Sequence, residues 1–213
     1  AHLKQQRSEA AFPAFVAKVR QLETALKTLA EPELAERIRK LSQRLRNSTP
    51  AEDLLAEAFA CLGECSQRQL GRRPFDVQLI GARIVLAGGL AEMATGEGKT
   101  LTIGLAAACG ALAGMPVHVM TVNDYLVRRD AEMLAPLYAM LGLSVACITE
   151  AATPAERRAA YGADIVYTTA KELVFDSLRD SMAPSADGLR WHTDRLLGKD
   201  QPTTLRGLCL GII

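Results

Sequence analysis

The chain has few aromatic residues, few histidines and no excess of charge of either sign. Aromatic residues make up 5% of its 213 residues, there are 3 His, and the formal net charge is +1 at pH 7. This near-neutral balance gives no electrostatic basis for bulk attraction to nucleic acid or to a membrane surface. With 49% hydrophobic and 23% charged residues, the composition is that of a soluble globular protein. The length allows one sizeable domain, or a domain with a smaller helical part.

The five cysteines do not form a disulfide or metal framework that can be read from their spacing. Their number is odd and no spacing repeats. Cys61 and Cys65 lie four residues apart, so one face of a helix could bring them together as a metal pair. No histidine lies next to them in sequence, which favours buried thiols instead. Cysteine usage therefore indicates a reducing compartment.

Long hydrophobic runs are also missing. The longest, from Gly104 to Val122, approaches membrane-spanning length, but it contains Gly110, Gly114 and Pro116. These residues divide it into a helix, a turn and a strand, so the sequence predicts no transmembrane segment. Charged residues interrupt the first ten positions, and no secretory signal is visible there.

Residues 1–70 are predicted to form an all-helical segment. Apolar side chains recur at helical steps in the first two helices, at Phe12, Phe15, Val16, Val19, Leu22, Leu26 and Leu29, then at Leu34, Ile38, Leu41 and Leu45. A third helix is predicted to begin at Pro50 with Thr49 as its N-cap and Glu52 completing a capping box. Its expected buried face is Leu54, Leu55, Ala58, Phe59 and Leu62.

Basic residues outnumber acidic ones in the first part of this segment. Residues 1–50 contain ten Lys or Arg and five Glu. Such an excess could contact anionic lipid. The charges are scattered rather than clustered, so a solvated helical face is the alternative.

Residues 93–100 read Met-Ala-Thr-Gly-Glu-Gly-Lys-Thr and precede a helical run, a pattern typical of a phosphate-binding loop. Gly96 and Gly98 let the backbone turn tightly, and the first N–H groups of the helix then point at an anion. Lys99 would reach the β and γ oxygens of a nucleotide, and the Thr100 hydroxyl would ligate Mg²⁺. The full template G-x-x-x-x-G-K-S/T is missed at Met93. A plain turn before a core helix is the alternative, but it leaves the Lys-Thr pair unexplained.

From residue 72 onward, strands and helices are predicted to alternate, which indicates a parallel α/β sheet. The predicted strands are 117–121, 145–148, 164–168 and 208–213. Helices are expected from Asn123 toward Gly142, with a kink or break at Pro136, from Thr153 with a capping box to Glu156, and over 171–180. Ligands of such sheets bind at the carboxyl ends of the strands. The polar stretch 183–204 remains unassigned.

Four groups of segments resemble, in chain order, motifs of the SecA preprotein translocase ATPase family. They are Arg73–Leu79; Ala91–Thr102; Thr121–Leu126 with Arg129–Glu132; and Ala163–Ile165 with Phe175–Asp180. The resemblance spans about residues 71–182. It departs from the family at Ala94, where a basic residue is usual, and around Thr169–Lys171, Val174 and Ser177. These departures favour a divergent relative over the housekeeping motor.

The resemblance implies a RecA-like P-loop domain over residues 71–213 that binds ATP with Mg²⁺. The nucleotide-binding residues it implies are Phe75, Gln78, Thr95, Gly96, Glu97, Gly98, Lys99, Thr100 and Arg129. The Gln78 amide can read one edge of adenine, and Phe75 could cover the purine or pack in the core. Arg129 could reach the nucleotide or pair with Asp130 or Glu132. Glu97 is expected to be a solvated loop residue rather than a catalytic base.

The resemblance also implies a motor that couples ATP hydrolysis to protein translocation. Its expected partners are a SecYEG-type channel and unfolded preprotein, at the inner face of the cytoplasmic membrane, with anionic lipid and a homodimer possible and nucleic acid not expected. The acidic magnesium motif and a second motor domain are expected after Ile213, so no catalytic residue is predicted within the chain. The chain alone should bind ATP weakly and hydrolyse it poorly. A superfamily 2 helicase and a nucleotide-binding interaction module without hydrolysis are the alternatives.

Overall fold

The protein is described by a computed structural model that covers residues 2–47, 50–182 and 209–213, with side chains from residue 12 onward. The helices are α1 (His2–Leu26), α2 (Glu31–Asn47), α3 (Glu52–Leu70), α4 (Asp76–Leu86), α5 (Lys99–Leu112), α6 (Asp124–Met140), α7 (Pro154–Ala160) and α8 (Ala170–Met182). The strands are β1 (Val117–Thr121), β2 (Val145–Cys147), β3 (Ile165–Thr169) and β4 (Leu210–Ile212). The unassigned stretch 183–204 and the predicted cap Thr49 lie outside the described residues.

The amino-terminal helices follow the predicted apolar pattern. The predicted face of α2 is buried in full, at Leu34, Ile38, Leu41 and Leu45. Helix α3 is buried on most of its circumference between Leu54 and Ser66, because α1, α2, α5 and α6 all pack against it. Cys61 and Cys65 are both buried there, as predicted for thiols, and burial raises the pKa of each to about 12.

The predicted start of α3 at Pro50 is wrong, since the helix begins at Glu52. Ala51 has an extended backbone, and its carbonyl accepts the N–H groups of Leu54 and Leu55 at 3.0 and 3.1 Å. Ala51 is therefore the N-cap, without a side-chain bond. The Glu52 carboxylate pairs with Arg83 of α4 at 3.0 Å, an interaction between helices that local capping rules do not anticipate.

A four-stranded parallel sheet in the order β2-β3-β1-β4 confirms the α/β prediction. The central pair is in register from Val117 opposite Ile165 to Thr121 opposite Thr169. Helix α5 is buried almost throughout, from Leu101 to Leu112, because it lies between the sheet and the other helices. Its many Ala and Gly residues allow this close approach.

One hydrophobic core joins the amino-terminal helices to the sheet. It runs from Phe15 in α1 through Phe59 in α3 and Leu105 in α5 to Ile212 in β4. Although the core is continuous across residue 70, the division into 1–70 and 71–213 remains a prediction about domain organisation.

The connections after β1 follow local rules. Asn123 caps α6, because its side chain accepts the Leu126 N–H at 2.9 Å, and Thr153 caps α7 with the predicted capping box to Glu156. Helix α6 continues through Pro136, so the alternative of a break there is wrong. No helix among the described residues is long and apolar enough to cross a membrane.

Candidate nucleotide-binding site

The glycine-rich loop turns tightly and ends in a helix, as the sequence predicts. Gly96 and Gly98 have φ angles of +91° and +82°, which L side chains rarely adopt. Gly98 is the N-cap of α5, and Lys99 is its first residue. The first N–H groups of this 14-residue helix have no partner within the helix itself, so they are available to donate to an anion.

Contacts within the loop hold this turn in place. The Ala94 N–H donates to the Glu97 carboxylate at 2.6 Å, and the Glu97 N–H donates back to the Ala94 carbonyl at 3.3 Å. The Lys99 ammonium donates to the same carbonyl at 3.0 Å. Thr95 lies exposed in the turn between them. Glu97 is an exposed loop residue, as expected, and its carboxylate also closes the loop.

Gln78 joins this loop to the start of α4. Its side-chain carbonyl accepts the Phe75 N–H at 2.9 Å, and its amide nitrogen donates to the Glu97 carbonyl at 2.8 Å. The residue is 5% exposed. A Cβ on Gly98 would lie 2.2 Å from the Gln78 amide nitrogen, so any other residue there would force the Gln78 amide to move.

Phe75 stands at the surface next to this junction. Its backbone is extended, and it precedes the first residue of α4, Asp76. The ring is not part of the core, because 71% of the residue is exposed, and the alternative of core packing is therefore wrong. An exposed aromatic ring beside a phosphate-binding loop can cover the flat face of a base.

Helix α6 brings a carboxylate and a guanidinium to the start of α5. The Thr100 hydroxyl lies 3.5 Å from Asp130 Oδ1, which also accepts two hydrogen bonds from Arg129, at 2.8 and 2.6 Å. Arg129 therefore forms the ion pair with Asp130 that the sequence analysis gave as the alternative to a nucleotide contact. Asp130 is buried while Arg129 is exposed, so the buried carboxylate holds a guanidinium that also faces solvent beside the start of α5.

These residues suit a triphosphate with a hard cation. The α5 amides and the Lys99 ammonium provide donors and positive charge, and the glycines leave the space that a Cβ would fill. Mg²⁺ prefers oxygen ligands, which the Thr100 hydroxyl supplies beside the Asp130 carboxylate. Because α6 begins directly after β1, the site lies near the carboxyl end of the sheet.

A second polar cluster connects α7 to α8, away from the loop. Arg157 is 4% exposed and donates to Asp176 at 3.0 Å and to backbone carbonyls at 149, 150 and 152. It also pairs with Glu172 at 2.6 Å. Burial opposes its charge, but hydrogen bonds to Asp176 and Glu172 raise the pKa of the guanidinium above its usual value.

Asp176 lies at the centre of this cluster. It is 2% exposed and accepts hydrogen bonds from Arg157, Tyr161 and Arg179, so it belongs to a buried polar network. Sequence reasoning missed Arg157, because its carboxylate partners lie 15 and 19 residues further along the chain. The sequence signal for this cluster is that Glu172 and Asp176 lie four residues apart, on one face of α8.

The parallel sheet, the glycine-rich turn and the Lys-Thr pair at the start of α5 define an α/β domain of the P-loop type. The sequence matches the SecA DEAD-like domain over residues 1–213. The chain belongs to the SecA family.

Curated relatives agree with this assignment. The chain is 52% identical to a protein translocase subunit SecA of Thermus thermophilus, over 82% of this chain and 17% of the relative. Identity is 46% to the protein translocase subunit SecA 2 of Nitrosospira multiformis, over 93% of this chain and 30% of the relative. The chain is 48% identical to the chloroplastic protein translocase subunit SECA1 of Arabidopsis thaliana, over 84% of this chain and 17% of the relative. The chain thus spans less than a third of these relatives.

Proposed function

We propose that the chain is the ATP-binding part of a SecA-like motor that couples ATP hydrolysis to protein translocation across the cytoplasmic membrane. The observation that carries this proposal is the loop from Ala94 to Thr100, whose two left-handed glycines lead directly into the buried helix α5. Such a loop cradles phosphates, and the family assignment supports a motor as its context.

Each residue around the loop has a role in this proposal. Backbone amides from Gly96 to Thr100 bind phosphate oxygens, in a turn closed by the Glu97 carboxylate. The Lys99 ammonium neutralises charge on the β and γ phosphates. To reach them, it leaves the Ala94 carbonyl to which it donates in this structure. The Thr100 hydroxyl is the Mg²⁺ ligand, and the cation neutralises charge on the phosphate oxygens it contacts. Arg129 approaches the phosphates from α6.

The purine lies against the start of α4. Phe75 offers it an exposed ring, and Gln78 reads adenine with the part of its amide that the protein does not use. An amide has two N–H donors and two carbonyl lone pairs. One Gln78 N–H donates to the Glu97 carbonyl, and one lone pair of its side-chain oxygen accepts the Phe75 N–H. One N–H donor and one lone pair therefore remain for adenine.

Hydrolysis and translocation belong to the longer protein. The chain covers 17–30% of the relatives named above, and the acidic motif and second motor domain of such motors are proposed to follow residue 213. An arginine from another domain can accelerate phosphoryl transfer about 10³-fold or more. The chain alone therefore binds ATP weakly and hydrolyses it slowly. The longer protein would work at the inner face of the membrane with a SecYEG-type channel and unfolded preprotein.

Calorimetry with Mg–ATP on the wild-type chain and on Lys99→Ala tests nucleotide binding. We expect saturable binding by the wild-type chain and none by Lys99→Ala, because the variant loses the charge at the phosphates. Lys40→Ala is the control, since Lys40 lies on α2 and pairs with Glu36. Equal affinity of all three proteins would reject the site.

The ATPase activity of the longer protein tests the class of motor. We expect unfolded preprotein, together with vesicles that contain the channel, to stimulate hydrolysis, whereas RNA has no effect. Stimulation by RNA alone would instead identify a superfamily 2 helicase. Saturable ATP binding without any hydrolysis in the longer protein would identify an interaction module.

A further inference from the structure

The buried carboxylate of Glu23 in α1 binds two arginines, Arg20 and Arg73. Arg20 contacts the segment from Arg73 to Gln78, against which the purine is proposed to lie, and Arg73 begins it. Glu23 is 2% exposed. Its two oxygens accept the Arg20 guanidinium at 3.0 Å each, and one of them also accepts Arg73, through Nε at 3.0 Å and through Nη2. Arg73 comes from the loop between α3 and α4, 50 residues further along the chain.

Helix α3 is shaped to admit this carboxylate. A Cβ on Gly63 would lie 2.7 Å from Glu23 Oε1, closer than real Cβ contacts come. The glycine therefore leaves the space that the acid occupies. A charged side chain at such a depth needs paired and hydrogen-bonded partners, and the two arginines supply them.

Arg20 extends the contact to both sides of Phe75. Its Nη2 donates to the Pro74 carbonyl at 2.7 Å and to Asp76 Oδ1 at 2.6 Å, and its Nε donates to the same oxygen at 3.0 Å. Phe75 lies between these two partners, so α1 fixes the backbone that presents the exposed ring.

The contacts continue from this segment into the phosphate-binding loop. The Phe75 N–H is bound to the Gln78 side chain, which donates to the Glu97 carbonyl at 2.8 Å. A path of direct hydrogen bonds and one peptide segment therefore runs from Glu23 to the loop. No residue of α1 or α3 needs to touch the nucleotide for this path to affect it.

We propose that Glu23 is a positioning residue of the nucleotide site, which holds Arg20 and Arg73 so that Phe75 and Gln78 are pre-organised for the purine. The inference rests on the proposed ATP site and extends it into the amino-terminal helices. Loss of the carboxylate leaves two guanidinium groups without their shared partner, and the segment from Arg73 to Gln78 gains freedom that ATP must then remove.

The test compares Glu23→Gln, Gly63→Ala and Asp76→Asn with the wild-type chain, by titration of fluorescent ATP and GTP analogues with Mg²⁺. Glutamine keeps the size of Glu23 and removes its charge, whereas Gly63→Ala displaces the acid without changing it. Asp76→Asn weakens the contact between Asp76 and Arg20. Because the Asp76 side chain is 63% exposed, this variant should fold and can be measured even if the other variants do not fold.

We expect the affinity for ATP to fall about tenfold in Glu23→Gln and Gly63→Ala and less in Asp76→Asn. The ratio of the ATP affinity to the GTP affinity should fall as well, because the residues that recognise the base are less well positioned. Glu57→Gln is the control, since Glu57 is a half-buried acid that pairs with Arg37 and Arg44 on α2. It should bind both nucleotides like the wild-type chain.

A purely structural role would lower the melting temperature and leave the ATP-to-GTP ratio unchanged. That result in the folded variants, or an unchanged ratio in Asp76→Asn if only this variant folds, overturns the inference. The proposed ATP site survives it as long as the wild-type chain binds ATP and Lys99→Ala does not. If Lys99→Ala binds as well as the wild-type chain, the site itself is wrong and the inference fails with it.

Discussion

The Gln78 amide donates to the Glu97 carbonyl at 2.8 Å and so ties the start of α4 to a loop 19 residues later in the chain. The same side chain accepts the Phe75 N–H. One buried amide thus sets the position of the exposed ring relative to the phosphate-binding turn. The base and phosphate parts of the proposed site form one unit for this reason.

Gly98→Ala should weaken ATP binding about tenfold or more and lower the free energy of unfolding by about 1–3 kcal/mol. The alanine would be strained at φ +82°, and its Cβ would lie 2.2 Å from the Gln78 amide nitrogen, which must leave the Glu97 carbonyl. Titration with Mg–ATP and urea unfolding measure the two effects.

Gly142→Ala is the matched control for Gly98→Ala. Gly142 has a φ angle of +71°, and no atom lies within 4 Å of the added Cβ. We expect a similar loss of stability and no loss of ATP affinity. Equal ATP affinities of the two variants would contradict a site built around Gly98.

Arg157→Ala should lower the free energy of unfolding by about 3–5 kcal/mol, because it leaves Glu172 and Asp176 buried without their cation. Arg179 also pairs with Asp176, but its side chain is 65% exposed. Arg179→Ala should therefore cost no more than about 1 kcal/mol. Urea unfolding of the two variants compares them directly, and equal losses would argue against a buried network.

Mild acid should destabilise the chain through His118. The residue is 2% exposed, its Nδ1 has no hydrogen-bond partner among the described residues, and burial lowers the pKa of the ring. Below the unfolded pKa of about 6.5, the unfolded chain takes up a proton that the folded chain does not. Stability due to the neutral ring is therefore complete above that pH and is lost as the pH falls toward the folded pKa.

His118→Phe provides the comparison, since it keeps a ring near Tyr161, whose centroid lies 5.9 Å from that of His118. Urea unfolding at about pH 7.5 and pH 5.5 should show a smaller loss for the variant than for the wild-type chain. Equal losses would place the acid sensitivity elsewhere.

The sequence predicts those features that depend on neighbouring residues. Asn123 and Thr153 cap their helices because each bond closes within three residues. The turn at Gly96 and Gly98 is likewise local, and its consequence, an exposed helix start with a lysine and a threonine, follows from the spacing alone.

Contacts between distant segments could not be predicted in this way. Glu52 is placed for a capping box by sequence, yet it pairs with Arg83, 31 residues away. The burial of Glu23 on α1 depends on the packing of α3 around Gly63 and on the approach of Arg73, 50 residues further along the chain. The exposure of Phe75 likewise accompanies distant contacts, because Arg20 of α1 holds Pro74 and Asp76 on either side of it.

The central claim is that the backbone amides from Gly96 to Thr100, with Lys99, hold the phosphates of ATP. A crystal structure of the chain with Mg²⁺ and a non-hydrolysable ATP analogue measures this directly. We predict the phosphates at the start of α5, Mg²⁺ on the Thr100 hydroxyl and the purine against Phe75 and Gln78. A nucleotide bound elsewhere, with the Lys99 ammonium still on the Ala94 carbonyl, would contradict the account.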